Sequence, residues 1–127
     1  MSRRKLLYHG TSLHRWKLLE WSDCADTLYL ADSADGTEMY RRNAIEMDEI
    51  DGVPGEDVEV VVVFDLDKLA KDGELEPDWD DVPTNMELFP DASWPGQVTW
   101  QDSLKKLGTC AYTGPIKNAV VKVRKIK

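Results

Sequence analysis

The sequence is short of the side chains on which several kinds of protein depend. It has two cysteines, Cys24 and Cys110, too few for a disulfide scaffold, and two histidines, which leave little with which to build a zinc site; we expect no metal. Its longest apolar run is Val60 to Phe64, far below the length that spans a bilayer, and no apolar stretch follows the first basic residues. These absences exclude a membrane-spanning helix and argue against secretion. The expected setting is cytoplasmic, with reduced thiols. The last segment, 104–127, has no acidic residue at all.

What is present is a globular composition. Hydrophobic residues make up 42% and charged residues 31% of 127 residues, enough for one domain, 1–127, with its own core. The net charge of −8 is unevenly spread. Residues 1–20 carry five basic and one acidic side chain, residues 21–103 four basic and 23 acidic, and residues 104–127 seven basic. The ends are expected to meet in a basic region beside an acidic body. That body repels phosphates, which argues against general nucleic-acid binding, while a small anionic ligand is still drawn to the basic part.

Local patterns give the order of elements. Lys5 to His9, followed by Gly10, reads as a first strand and a turn, and Ser12 caps a helix through Leu13, Trp16 and Leu19. Thr27 to Ala31 reads as a strand, and a helix runs from Asp32 or Ser33 to about Ile50. Asp51 to Gly55 is a loop, and Val58 to Leu66 a strand buried on both faces. From Asp72 to Gly96 the chain is acidic and holds Pro77, Pro83, Pro90 and Pro95; its rings Trp79, Phe89 and Trp94 are expected to pack across the core. Val98 to Trp100 reads as a short strand, Gln101 to Leu107 as a helix ended by Gly108, and Thr109 to Thr113 and Ala119 to Ile126 as the last strands. The fold class is α+β.

Two segments combine residues suited to ligand chemistry. In Tyr8-His9-Gly10-Thr11-Ser12 an imidazole stands beside a backbone with no Cβ, which a ligand amide can approach closely. In the second, Tyr29 on a strand is followed eleven residues later by Tyr40 on a helix, with Thr37 three residues before it on the same helix face.

Together these segments resemble the ADP-ribosyltransferase superfamily, on its histidine–tyrosine branch, which includes diphtheria toxin and the poly(ADP-ribose) polymerases. His9-Gly10-Thr11 matches the His-Gly-Ser/Thr motif that ends a strand, Tyr29-Leu30-Ala31 the second strand motif, and Thr37 with Tyr40 the helix motif. The resemblance covers mainly residues 6–44. It implies an ADP-ribosyltransferase-like fold of two packed, mainly antiparallel sheets with short inserted helices. The strand of His9 would lie beside that of Tyr29, with a cleft between them. It also implies NAD as substrate, cleavage of the nicotinamide–ribose bond, and transfer of ADP-ribose to a macromolecular acceptor, protein or nucleic acid. His9 would bond the adenosine ribose, and the Gly10 backbone would hold the carboxamide with help from Thr37. Tyr29 and Tyr40 would enclose the nicotinamide, a flat cation that aromatic faces attract. Gly114-Pro115-Ile116 matches a late family signature, but the glutamate that precedes it in the family is missing, and Thr109 stands at its place. Asp102 and Gln101 are the nearest alternatives, and the acidic loop Asp72–Asp91 is the remaining source of a carboxylate. Two other functions stay open: a degenerate relative that binds NAD or ADP-ribose without turnover, and an acidic inhibitor that binds a basic partner.

Overall fold

The unbroken valines form the centre of the molecule. In the computed structural model, which describes residues 5–126, they lie on strand β3 (Glu59–Asp65), where Val60 to Phe64 are at most 1% exposed. A strand apolar at every position needs cover on both faces and neighbours on both edges. Strand β1 (Leu6–Ser12) supplies one edge, antiparallel and in register from Leu6↔Asp65 to Ser12↔Glu59, and β6 (Val120–Ile126) supplies the other. Beyond β1 follow β2 (Ala25–Ala31), β5 (Thr109–Gly114) and β4 (Glu74–Pro77), all antiparallel, in the order β4-β5-β2-β1-β3-β6.

The described chain is therefore α+β, with one six-stranded sheet and four α-helices. One sheet replaces the two packed sheets expected from the sequence. Its two halves meet at a narrow seam, since β1 and β2 share only the pairing Tyr8↔Ala31.

Helix α1 (Leu13–Ser22) starts as expected, with the Ser12 hydroxyl accepting the Arg15 N–H, and it sends Trp16 into edge-to-face contact with Phe64. The next helix begins later than the sequence suggested. A 3-10 turn, Asp35–Thr37, precedes α2 (Glu38–Ile50), which packs against β1 and β3. Alternation along the strands sorts the two faces. Leu7, Leu28, Leu30, Val60, Val62 and Phe64 join one large core with Trp16, Leu66, Leu69, Cys110 and Tyr112, whereas Val61 and Val63 face the α2 side.

Two elements went unread in the sequence. Asp65 ends β3 and caps α3 (Leu66–Asp72) by accepting the Lys68 N–H, and the short strand β4 follows. The expected strand at Val98 to Trp100 is absent. Val98 follows a 3-10 turn, Thr99 caps α4 (Trp100–Leu107) by accepting the Asp102 N–H, and Gly108 ends that helix at φ +77°. The acidic segment does not pack as expected either. Only Phe89 of its three rings is buried, in a small separate cluster with Val82 and Val98, and Trp79 and Trp94 are exposed. Of the expected basic region, Lys122, Arg124 and Lys125 line the edge strand β6, one strand removed from β1, and residues 1–4 lie outside the described chain. No helix among the described residues is long and apolar enough to cross a membrane.

Candidate functional site

The site is built where β2, α2 and the loop after β4 converge. Tyr29 is the middle residue of the alternation Leu28-Tyr29-Leu30. Its neighbours enter the large core, so its ring leaves the sheet on the opposite side, toward α2. Tyr40 comes from the first turn of α2. The two rings are stacked, 8° from parallel, with centroids 6.2 Å apart. That separation lies within the roughly 4.5–7 Å range of offset-stacked ring pairs, so the two tyrosines form one parallel aromatic surface. Tyr40 also lines a groove of about 520 Å³ with Asn43, Asp80, Asp81 and Thr109.

Three aspartates frame this pair. Asp78 is 1% exposed and sits at the centre of a knot of hydrogen bonds. Its Oδ1 accepts the backbone N–H groups of Asp80 and Asp81 at 3.1 and 3.2 Å, and its Oδ2 accepts the Thr109 hydroxyl at 2.7 Å. Its own N–H donates to Ser103 Oγ, whose hydroxyl donates to the Thr109 carbonyl. The loop is thus tied to α4 and β5 at once. Burial, then a hydrogen bond to Asp80 and the charges of Asp80 and Asp78, push the Tyr29 phenol up to about 12. Burial and the charges of Asp78, Asp81 and Asp80 do the same to Tyr40. Both rings therefore stay neutral phenols across physiological pH, in a strongly negative setting.

His9 is adjacent to the pair but does not join it. It stands opposite Val62 in the β1–β3 register, so its side chain leaves the sheet on the face of the large core, away from the Tyr29 ring. The ring reaches instead along the seam, where Nδ1–H donates to the Tyr29 carbonyl at 2.9 Å. Past Tyr8↔Ala31, an imidazole thus occupies a carbonyl that a neighbouring strand would otherwise use. Burial lowers the His9 pKa, and the bond to Tyr29 opposes this only in part. In the neutral ring, with Nδ1 donating, Nε2 is an acceptor. The strands of His9 and Tyr29 are neighbours, as the sequence implied, but their side chains do not share one wall.

Gly10 and Thr37 are brought together. A Cβ at Gly10 would lie 2.5 Å from Thr37 Cβ and 2.6 Å from its carbonyl oxygen, so strand and helix entrance touch through the missing side chain. The Thr37 hydroxyl is already engaged, donating to the Ala34 carbonyl at 2.6 Å and accepting Arg41 Nε at 3.0 Å. Arg41 in turn pairs with Glu59. Thr11 is buried in β1 opposite Val60.

The other expected residues lie elsewhere, except Thr109, which lines the tyrosine groove and is bonded to a carboxylate. Gln101 lines a second groove with Leu7, Asp32 and Trp100; Asp102 lines a third with Phe89, Lys105 and Lys106. Asp78, Asp80 and Asp81 were not singled out in the sequence, where Asp-Trp-Asp-Asp is one of several runs with three acids in four residues. What placed them at the site is β4, whose pairing with β5 (Pro77↔Cys110) sets the loop beside Thr109.

No family model, curated protein or solved structure matches the chain.

Proposed function

We propose that this chain is an ADP-ribosyltransferase-like enzyme that takes the nicotinamide ring of NAD against Tyr29 and Tyr40, cleaves the nicotinamide–ribose bond and passes ADP-ribose to a macromolecular acceptor. The observation that carries the reading is the parallel tyrosine pair at a groove. The His9 bond across the seam and the Gly10–Thr37 contact support it, since they join the three motif segments in one region. The ADP-ribosyltransferase-like fold is part of the same proposal, with the seam between β1 and β2 as the cleft.

In this reading the two rings orient the nicotinamide by stacking. His9, whose ring leaves the opposite face, fixes Tyr29 through its carbonyl rather than touching the ligand, and Gly10 lets the entrance of α2 close on β1. Bond cleavage leaves positive charge on the ribose and needs a carboxylate to favour it. The engaged Thr37 hydroxyl and the threonine at position 109 favour the alternative, a degenerate binder of NAD without turnover. Nicotinamide release from NAD, followed by chromatography, decides between them. Product above the buffer blank supports the transferase; binding with no release leaves the binder; neither release nor binding refutes both readings of the site.

A further inference from the structure

The groove beside the tyrosines is lined by Asp35, Glu38, Asp80 and Asp81, and among the described residues only Glu38 has a cationic partner, Arg42. Asp78 is buried, bonded to three donors of which none is charged, and among the described residues no cation lies within ion-pair distance of it. Its bonds to the N–H groups of Asp80 and Asp81 fold the loop so that both carboxylates stand beside the rings. Two parallel aromatic faces already attract a flat cation. A carboxylate fixed at their edge adds charge attraction where burial weakens screening by water. A neutral ring of the same shape gains only the stacking.

We infer that the loop Asp78–Asp81 makes the groove selective for a flat cationic ring, with Asp80 the carboxylate that faces the ligand and Asp78 the residue that positions it. This rests on the proposed function only in taking that ring to be a pyridinium. It extends that function by assigning the discrimination to residues that none of the three motif segments contains. The same carboxylates oppose a diphosphate, so at this end of a dinucleotide the ring must carry the recognition. During bond cleavage the ring leaves as neutral nicotinamide, with the bonding electrons on its nitrogen, and the positive charge passes to the ribose. A site that selects the charged ring therefore holds the substrate better than the product.

The test compares 1-methylnicotinamide, a cation, with nicotinamide, its neutral counterpart, by calorimetric titration of the full chain. The wild type is expected to prefer the cation by roughly tenfold. Asp80→Asn should bring the two rings to near-equal affinity. Asp91→Asn, the same charge loss in another groove, should keep the preference. Equal affinities in the wild type, failure of either ring to bind, or a preference that survives Asp80→Asn each overturn the inference. A protein that neither binds nor cleaves NAD, but shows an Asp80-dependent preference for the cation, removes the transferase and leaves the selectivity standing. NAD cleavage without any preference does the reverse.

Discussion

Gly10→Ala tests the joint between the first motif strand and the helix that carries Tyr40. The new methyl would lie 2.5 Å from Thr37 Cβ, 2.6 Å from Thr37 O and 2.8 Å from Arg41 Cγ. Comfortable carbon contacts begin near 3.5 Å, so something must give by about 1 Å. β1 is held to β3 along its whole length, which makes the entrance of α2 the part that moves. Overpacking of this kind costs about 1–3 kcal/mol, and the stiffer unfolded chain returns about 0.4–1 kcal/mol. The net loss lies between about 0 and 2.6 kcal/mol, centred near about 1.3 kcal/mol, or about 4–8 °C in Tm at that centre for a chain of this size. Thermal unfolding by circular dichroism measures it. Gly36→Ala is the control, because its nearest contact is a milder 3.2 Å. An unchanged Tm in Gly10→Ala would show that β1 and α2 do not meet through the missing side chain, and the alignment of Tyr40 with Tyr29 would lose its structural basis.

Other expectations follow from the same geometry. Tyr40→Ala should weaken NAD binding by about 1–3 kcal/mol while Tyr40→Phe is tolerated, since the ring does the stacking; equal affinity for wild type and Tyr40→Ala, by calorimetry, removes Tyr40 from the site. A second buried acid cluster predicts a pH effect. Burial, then a hydrogen bond shared with Asp48, raises the Asp57 pKa; the bonds Asp48 receives from Asp57, Ser12 and Arg15 outweigh its own burial and hold it low. A raised carboxyl stabilises the fold while protonated and loses that contribution as pH rises through its folded pKa. Asp57→Asn keeps the acceptor for the His14 and Val58 N–H groups and a donor toward Asp48, so its Tm relative to wild type should climb between acid and neutral pH. A constant offset at every pH would refute the shared proton.

Much of the fold was legible because single residues decide it. The valine run fixed the central strand, Ser12 the start of α1, and Gly108 the end of α4. The errors also have local causes. Val98-Thr99-Trp100 is strand-like in composition, but the Thr99 hydroxyl competes for the Asp102 N–H and starts a helix instead. α3 is too short for its periodicity to stand out, although Asp65 is a sound cap. At the site, the helical pattern placed Tyr40 in the first turn of α2 and strand alternation placed Tyr29, whereas Thr37 falls in the 3-10 turn before the helix and packs on Gly10. The face of His9 depended on its register with β3, and the carboxylates depended on the pairing of β4 with β5. Both are long-range facts that local pattern does not encode.

The small cluster of Val82, Phe89 and Val98 has a consequence for how the molecule breathes. It shares no buried residue with the large core, and the hydrogen bonds of Asp78 to Thr109 and Ser103 are among its ties to the sheet. Regions with a small core of their own open at lower free energy than the strands they rest on. The acidic segment is thus a cooperative unit that can detach while β1, β3 and their valines stay protected from hydrogen exchange. Opening would carry Asp80 and Asp81 off the groove and leave Tyr29 and Tyr40 behind, so the charged half of the site is lost at a lower free-energy cost than the aromatic half.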